Sequence, residues 1–577
     1  MRGRSILASM LVTALSAAAA APAFAQAQAK APAVTVLLAH RIATMDLARP
    51  RAEAMAYDAG GTILALGGRD ELLAKYRGAA RIDAGAATVV PGLIDAHGHM
   101  SGLGGTFLTA DLVDTTGKDD ILGRLRKFAK DLPPGAWLVG RGWDQNDWAQ
   151  KDFPTAADLD AAFPDRPVWL ERIDGHASWA NSKAMAAAKV DGHADWRQGD
   201  WQPDGGRIVR DAQGRATGIF VDGAQSVVGD AIPAPDAAAI ERMLRLAMQD
   251  AVAHGLTGVH DAGVSLQEMR VYQKLADGGQ MPMRVTAFAN GDAAALQWLC
   301  DKGLYQHPSH RLKMRTVKLY MDGALGSRGA ALLQDYTDDP GNRGILVTAP
   351  DEYAGTVARA HRCGVQVATH AIGDRGNRIV LDTYEKALGG DATTTDHRWR
   401  IEHAQVLSPE DLPRLAALHV IASMQPTHAT SDMPWAEDRL GPDRINGAYA
   451  WRKLRDSGAR LALGSDFPVE SVDPRLGLYS AETRTDPKGQ PPGGWHPEDK
   501  LTPYEALRGF TLDAAYAGFA EDEVGSLAPG KRADFVVLAD DPLAVEPARL
   551  RSLAVEATYV DGKPVYEAAH GEAARAP

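Results

Sequence analysis

The chain has 577 residues, of which 45% are hydrophobic and 24% charged, with 58 glycines and 33 prolines. This composition supplies a large folded core and excludes a collagen, a coiled coil and a disordered chain. The formal net charge of −12, without a basic cluster, argues against a nucleic-acid partner, because proteins that bind nucleic acid concentrate Lys and Arg on one face.

The N-terminal segment differs in composition from the rest. Arg2 and Arg4 precede an apolar run that ends in a small-x-small cleavage pattern, so residues 1–25 are predicted to be a signal peptide. No twin-Arg pair is present, which favours Sec export to the periplasm or the medium. The alternative is an uncleaved N-terminal anchor. No later segment has about 18 uncharged apolar residues, so we expect no stable membrane anchor after cleavage.

Both flanks of the mature chain are rich in short apolar runs separated by turn signals. Residues 34–90 alternate such runs with glycine-rich turns, and residues 506–570 add a final helix and further runs, including 535–538 and 555–560. Two β-rich flanks around a different middle predict one discontinuous β-sandwich domain built from both ends of the chain.

The middle of the chain, residues 91–505, has another rhythm. Apolar runs of strand length alternate with stretches long enough for helices, which predicts an α/β fold, a (β/α)8 barrel of the TIM type. The interval after the first run is too long for a loop, so about 105–235 is predicted to be an insertion beside the barrel mouth. The eight runs cover residues 90–96, 255–261, 284–290, 316–322, 365–371, 399–405, 420–426 and 460–466.

The two cysteines, Cys300 and Cys363, are too few for a disulfide framework in a chain of this size. We interpret them as small buried hydrophobic residues. A single bridge between Cys300 and Cys363 is the alternative that the sequence leaves open.

Ionisable residues lie at the carboxyl ends of five of the eight runs. The first two are histidines separated by one residue at the close of the first run, so both can ligate a common ion. Barrel enzymes place their catalytic residues at these strand ends. The six residues are His97, His99, Lys318, His370, His403 and Asp466.

This order of residues on successive strands, between two β-rich flanks, resembles the amidohydrolase superfamily of metal-dependent hydrolases. Local strings narrow the resemblance to the amidohydrolase family 3 branch, which includes N-substituted formamide deformylase. It covers nearly all of the mature chain. The strings include Gly142-Trp143-Asp144-Gln145, Asp174-Gly175-His176-Ala177, His370-Ala371-Ile372-Gly373-Asp374 and Gly464-Ser465-Asp466-Phe467-Pro468.

The resemblance implies two divalent metal ions. His97 and His99 would hold one, and His370 and His403 the other. Zn²⁺ is expected, with Mn²⁺, Fe²⁺ and Co²⁺ as alternatives, because nitrogen and oxygen ligands accept all of these ions.

The resemblance also implies a carbamate on Lys318, formed with CO2, whose oxygens bridge the two ions. A free ammonium has no lone pair and would repel a cation, so the lysine can ligate only after losing its charge. The alternative is that Lys318 is a structural cation paired with a carboxylate such as Asp322, in which case the site holds one ion.

Asp466 has two tasks in the implied mechanism. It ligates an ion, and it carries a proton from the attacking metal-activated hydroxide to the departing nitrogen. The alternative is a structural Asp466 that caps the turn before Pro468. His176, in the insertion, resembles a position near the substrate from which an imidazole stabilises an oxyanion, and a purely structural histidine is its alternative.

Two further residues are candidates for substrate binding. Trp143 could form part of an apolar wall, although large aromatic residues also anchor insertions on their barrels. Arg328 could contact an anionic substrate group or pair with an acidic neighbour.

The sequence therefore predicts a hydrolase that cleaves a non-peptide C–N bond of a small molecule, a linear amide or an N-acyl or N-formyl compound. One alternative is a cyclic amide or ester hydrolase that uses the same site. Another is a non-catalytic binding or regulatory protein on the same scaffold. The sequence specifies neither the substrate nor the oligomeric state.

Overall fold

The computed structural model describes residues 33–291 and 293–568, so the predicted signal peptide lies outside the described residues. The strands within these ranges are β1 (Val34–Ala43), β2 (Arg51–Asp58), β3 (Ile63–Gly67), β4 (Ala80–Asp83), β5 (Thr88–Pro91), β6 (Leu93–Gly98), β7 (Ala110–Asp111), β8 (Leu138–Trp143), β9 (Val168–Arg172), β10 (Ala177–Ala180), β11 (Gly206–Arg210), β12 (Ala216–Asp222), β13 (Leu256–Val264), β14 (Arg284–Asn290), β15 (Tyr305–Gln306), β16 (Leu312–Tyr320), β17 (Gln366–Ala371), β18 (Arg400–His403), β19 (Ile421–Met424), β20 (Leu461–Leu463), β21 (Phe535–Leu538), β22 (Val555–Val560) and β23 (Lys563–Glu567).

Helices fill most intervals between the barrel strands. None within 33–291 and 293–568 combines the length and the hydropathy needed to cross a bilayer. The α-helices are α1 (Arg69–Lys75), α2 (Met100–Thr106), α3 (Lys118–Phe128), α4 (Ala156–Asp160), α5 (Ser182–Ala187), α6 (Ser226–Gly229), α7 (Ala237–Ala253), α8 (Leu266–Asp277), α9 (Ala293–Lys302), α10 (Pro350–Arg362), α11 (Asp374–Leu388), α12 (Leu412–Ala417), α13 (Pro426–Asp432), α14 (Ala436–Arg444), α15 (Trp451–Asp456), α16 (Pro474–Thr483), α17 (Pro503–Gly509), α18 (Leu512–Ala517) and α19 (Pro547–Leu550).

Helix α8 illustrates how local sequence forms these helices. The Ser265 hydroxyl accepts the Glu268 N–H, and the Glu268 carboxylate accepts the Ser265 N–H at 2.7 Å, which is a capping box. Buried Met269, Tyr272 and Ala276 follow at helical spacing and pack on the barrel. The helix therefore begins where the cap satisfies its first N–H groups, and its apolar stripe sets the face it buries.

The central sheet is a parallel barrel with the strand order β6-β13-β14-β16-β17-β18-β19-β20. The backbone N–H of Asp466 donates to the carbonyl of His97 at 2.7 Å, and Gly98 forms a parallel bridge with Phe467, so the chain after β20 meets β6. Each of the eight predicted runs coincides with one of these strands, and the predicted (β/α)8 barrel is confirmed.

The two flanks of the chain form a second sheet. Strand β21 of the C-terminal flank pairs antiparallel with β5 of the N-terminal flank, and β5 pairs parallel with β1. These strands enclose an apolar core that includes Leu37, Met55, Val89 and Phe535. Arg284 of the barrel forms ion pairs with Asp534 and Asp561 at 2.7 Å each, which ties this sheet to the barrel.

A third sheet, with the order β11-β12-β10-β9-β8-β7, occupies the long interval between barrel strands β6 and β13. Its own core contains Trp143, Trp148 and Trp179. The sheet packs around these aromatic side chains rather than around the barrel core, because it lies beside the barrel mouth as a separate layer.

The two cysteines form a disulfide bridge between the end of α9 and the residue after α10. The interpretation of Cys300 and Cys363 as unpaired hydrophobic residues is therefore wrong, and the bridged alternative is correct. The sequence could not decide this because 63 residues separate the two thiols, and only the packing of neighbouring barrel helices brings them together.

Replacing both cysteines with serine is expected to lower the free energy of unfolding by about 2–4 kcal/mol, because the bridge restricts the unfolded chain. Urea denaturation of the wild type and the Cys300→Ser/Cys363→Ser variant measures this difference. Under reducing conditions the two proteins should unfold at nearly the same urea concentration. Equal midpoints without reductant would contradict the prediction.

Candidate active site

A cavity of about 800 Å³ lies where the carboxyl ends of the barrel strands face the insertion sheet. Its walls come from the barrel, from the insertion and from the loops after β19 and β20. Five of the six predicted ligands line it, and the sixth, His97, is fully buried beside them. The five are His99, Lys318, His370, His403 and Asp466.

Four histidines at the ends of three strands converge on one carboxylate at the base of this cavity. The nearest ligand atoms of His97, His403 and Asp466 lie within 4.8 Å of one another. His99 Nε2 is 3.0 Å from Asp466 Oδ1, and the rings of His370 and His403 are 4.6 Å apart. The structure thus brings together side chains that are hundreds of residues apart in the sequence.

Backbone geometry directs two of these side chains. His403 and Asp466 adopt positive φ angles of 72° and 62°, which non-glycine residues rarely adopt. Such strain concentrates at functional sites. The turn after Asp466 is closed by a backbone hydrogen bond, in which the Val469 N–H donates to the Asp466 carbonyl at 2.9 Å. The Asp466 side chain faces the histidines and does not cap this turn.

Hydrogen bonds beneath the cavity fix the orientation of the imidazoles. His97 Nδ1–H donates to Glu402 at 2.5 Å, and Arg400 donates to both oxygens of Glu402 at 2.5 and 2.9 Å. His403 Nδ1–H donates to the side-chain oxygen of Gln425 at 2.8 Å. Because each Nδ1 is a donor, each Nε2 keeps its lone pair for a metal or a proton.

Glu402 and Gln425, which support the site, were not predicted from the sequence. Glu402 directly precedes His403, and Gln425 lies one residue after β19, so both stand at strand ends. Their chemistry gave no separate signal, because a glutamate or glutamine beneath a ligand looks like any buried polar residue in the sequence.

The electrostatic environment favours neutral imidazoles and an ionised carboxylate. Burial and the nearby charge of Lys318 lower the pKa of His97 to about 4. Burial lowers the pKa of His403 well below its ordinary value as well. For Asp466, burial alone would raise the pKa, but the neighbouring imidazoles of His97 and His99 outweigh this effect and hold it well below the usual range. These are the protonation states that metal ligation requires.

Lys318 is 1% exposed, and its Nζ lies 3.3 Å from His97 Nε2. Burial lowers its pKa, partly offset by the charges of nearby carboxylates. It forms no ion pair with Asp322. That carboxylate instead accepts backbone N–H groups from Ala331 and from residues 372–373 at 2.8–2.9 Å. The alternative of a structural Lys318–Asp322 pair is therefore not what the structure contains.

Three buried polar atoms in the site have no hydrogen-bond partner within residues 33–291 and 293–568. They are His370 Nε2, His428 Nε2 and Asp466 Oδ1. Buried polar atoms are normally satisfied, so unsatisfied nitrogen and carboxylate atoms in the site call for a further partner. Neutral imidazoles and a carboxylate are the ligands that divalent transition metals prefer, and the residues present fit such an ion.

His428 on α13 is a third residue of the site that was not predicted from the sequence. Its ring stacks on His403 with centroids 5.8 Å apart, and its Nε2 is 3.7 Å from Asp466 Oδ2. It lies two residues after Pro426, just beyond the seventh predicted run. The rule that barrel strand ends carry the chemistry could have identified it.

His176 reaches the cavity from the insertion. Its Nδ1–H donates to Asp222 at 2.7 Å, and its ring lies 6.2 Å from that of His370. Burial alone would lower the pKa of His176, but the hydrogen bond with Asp222 and the charge of Asp174 outweigh it and raise the pKa. His176 is therefore placed to donate a hydrogen bond in the cavity.

The two other predicted substrate contacts lie elsewhere. Trp143 is 0% exposed, donates its indole N–H to the Leu170 carbonyl at 2.8 Å and packs in the insertion core, so its predicted place in the cavity wall is wrong. Arg328 pairs with Asp338 at 2.9 Å and lines a smaller adjoining chamber. The alternative that Arg328 pairs with an acidic neighbour is therefore what the structure contains.

Comparisons with known proteins agree with this geometry. The amidohydrolase family model matches residues 80–566, a range that contains every residue of the cavity. The protein YtcJ of Bacillus subtilis (strain 168) is 36% identical over 90% of this chain and 96% of its own length. N-substituted formamide deformylase of Arthrobacter pascens is 29% identical over 92% of this chain and 98% of its own length. The crystal structure of a metal-dependent hydrolase from Pyrococcus horikoshii OT3 is 26% identical, with a TM-score of 0.72 over 89% of this chain and 99% of that one.

Replacing Gln425 with leucine should weaken divalent metal binding by about 10- to 100-fold, because His403 loses the acceptor that orients it. Chelator competition measures the metal dissociation constant. The Gln425→Glu variant keeps an acceptor and serves as the matched control, so it should retain nearly wild-type affinity. Equal losses in both variants would contradict the orienting role of this hydrogen bond, because Gln425→Glu keeps the acceptor.

Proposed function

The chain belongs to the amidohydrolase family, and from this premise we propose that it hydrolyses a non-peptide C–N bond of a small molecule. The proposed substrate is a linear amide or an N-acyl or N-formyl compound. The observation that carries the proposal is the group of neutral imidazoles around ionised Asp466 at the base of the cavity. The name of the Arthrobacter pascens relative, a formamide deformylase, supports this bond class.

The ligands are proposed to hold two divalent ions, most simply Zn²⁺. His97 and His99 would hold one ion, His370 and His403 the other, and a carbamate on Lys318 would bridge them. A bound ion supplies two effects, a lowered pKa of bound water and polarisation of the substrate carbonyl. The retention of all six ligands argues against the alternative of a non-catalytic binding protein.

Asp466 is proposed to move the proton that amide hydrolysis requires. Its carboxylate is ionised, 6% exposed as a residue, and its Oδ1 has no hydrogen-bond partner within the described residues. It can therefore accept a proton from the attacking water and deliver it to the departing nitrogen, which must be protonated before the C–N bond breaks.

His176 is proposed to stabilise the negative charge that develops on the carbonyl oxygen. Asp222 accepts its Nδ1–H, which leaves the other ring nitrogen to donate toward the cavity when the imidazole is protonated. The raised pKa of His176 favours that protonated form.

Export through the predicted signal peptide is part of the proposal. Disulfides persist in oxidising compartments such as the periplasm, so the Cys300–Cys363 bridge supports a periplasmic or secreted protein. Its partner is proposed to be the small-molecule substrate alone, without nucleic acid.

Turnover of N-formyl, N-acyl and cyclic amides and of matched esters by the purified protein tests the bond class, since the class of compound that is hydrolysed fastest identifies the substrate type.

In the same assay Asp466→Asn should lower kcat by about 10²–10⁴-fold because it removes the proton carrier. Much of the metal should remain, as measured by elemental analysis. The surface variant Asp382→Asn is the control, and wild-type rates in Asp466→Asn would refute the proton-transfer role.

Replacing Lys318 with alanine should reduce the metal content from two equivalents to one, because the bridging ligand is lost. Small carboxylates such as acetate should restore part of the second equivalent by taking the place of the carbamate. Elemental analysis with and without acetate measures this. Unchanged stoichiometry in Lys318→Ala would exclude the bridge.

A further inference from the structure

A second chamber of about 320 Å³ adjoins the main cavity. Asn146, Lys151, Arg172 and Gly326 line both spaces, so the two are adjacent. The chamber lies between the insertion and the segment after barrel strand β16. Its charged lining residues are five cations and one carboxylate, namely Lys151, Arg172, Arg207, Arg328, Arg439 and Asp152.

Arg328 and Arg439 share a single counterion. Both guanidinium groups pair with the carboxylate of Asp338, which leaves an excess positive charge. Arg439 is 8% exposed, and its Nε has no hydrogen-bond partner within the described ranges 33–291 and 293–568. An unsatisfied buried donor on a cation calls for an acceptor, and an anion satisfies both its charge and its hydrogen bond.

Lys151 and Arg207 add further positive charge. Both are exposed at the chamber, and neither forms an ion pair among the described residues. Arg172 differs, because it pairs with Asp144 and Asp174 and its charge is neutralised. The chamber therefore has a net positive charge that its own carboxylates do not balance.

The main cavity has the opposite character away from its base. Asp147, Asp432 and Glu470 line it, and none of them forms an ion pair with a lysine or arginine within the part of the chain that the structure describes. Burial raises the pKa of Asp432 to about 7. The adjoining chamber offers an anionic group more positive charge than this wall does, which favours placing the anion of a substrate that also carries an amide in the chamber.

We propose that the basic chamber binds a carboxylate of the substrate, while the scissile amide lies in the main cavity. The substrate class is then an N-acyl compound with a free carboxylate, such as an N-acylated amino acid. This inference rests on the proposed function of the same cavity. Lys151, Arg207 and the Arg328–Arg439 pair are its binding residues.

The test compares two probes of nearly equal size, N-benzoylglycine, which carries a carboxylate, and N-benzoylglycinamide, which carries a neutral primary amide in its place. Calorimetry on the metal-loaded Asp466→Asn protein measures their binding without turnover. We expect N-benzoylglycine to bind about tenfold more tightly at low salt, and the preference should fall as ionic strength rises. Equal binding, or tighter binding of the amide, would overturn the proposal.

Two double variants complete the test. Lys151→Gln/Arg207→Gln should remove most of the preference for N-benzoylglycine, about tenfold in its dissociation constant, and leave that of N-benzoylglycinamide unchanged. Lys183→Gln/Arg197→Gln removes the same charges from exposed sites on the insertion that line neither space. An equal loss of the preference for N-benzoylglycine in this control would attribute the effect to overall charge and overturn the proposal.

The binding assay also separates this inference from the proposed function. Charge-dependent binding that the chamber variant abolishes, together with absence of turnover of every amide by the wild type, would support the chamber and refute the proposed hydrolysis. Amide turnover without any charge preference would support the hydrolysis and refute the chamber.

Discussion

The hydrogen bond from the Asp466 N–H to the His97 carbonyl joins the last barrel strand region to the first. Ser465 strengthens this closure, since its N–H and hydroxyl both donate to the buried carboxylate of Asp95. A parallel barrel closes only if its first and last strands meet, and this meeting places the carboxylate of Asp466 among the histidines. The contact that closes the barrel therefore also assembles the site.

The site is polar, yet it lies at the end of a buried core. It tolerates this because His97, His99 and His403 each form a hydrogen bond through Nδ1, and the Arg400–Glu402 ion pair behind His97 is itself fully buried and hydrogen-bonded. Asp322 performs a related task for the wall, since three backbone N–H groups converge on it. The side chains proposed to ligate or react are thus held in position by buried polar groups that themselves contact no substrate.

The insertion encloses two adjacent spaces of different charge at the end of the barrel. It brings His176 to the acidic cavity and Lys151 and Arg207 to the basic space beside it. The same layer buries Trp143 in its own core, where the side chain stabilises the insertion rather than touching a ligand. The predicted metal ligands belong to the barrel, and the selection of substrates is proposed to belong to the insertion.

The sequence by itself determined the barrel, its eight strands and the six residues at their ends, because hydrophobic periodicity and strand-end position are local properties. Tertiary structure alone decided the Cys300–Cys363 bridge, the support of His97 by Glu402, the presence of His428 and the burial of Trp143. Each of these depends on which distant surfaces pack together. Contacts between side chains that are distant in the sequence produce no periodic pattern from which they could be predicted.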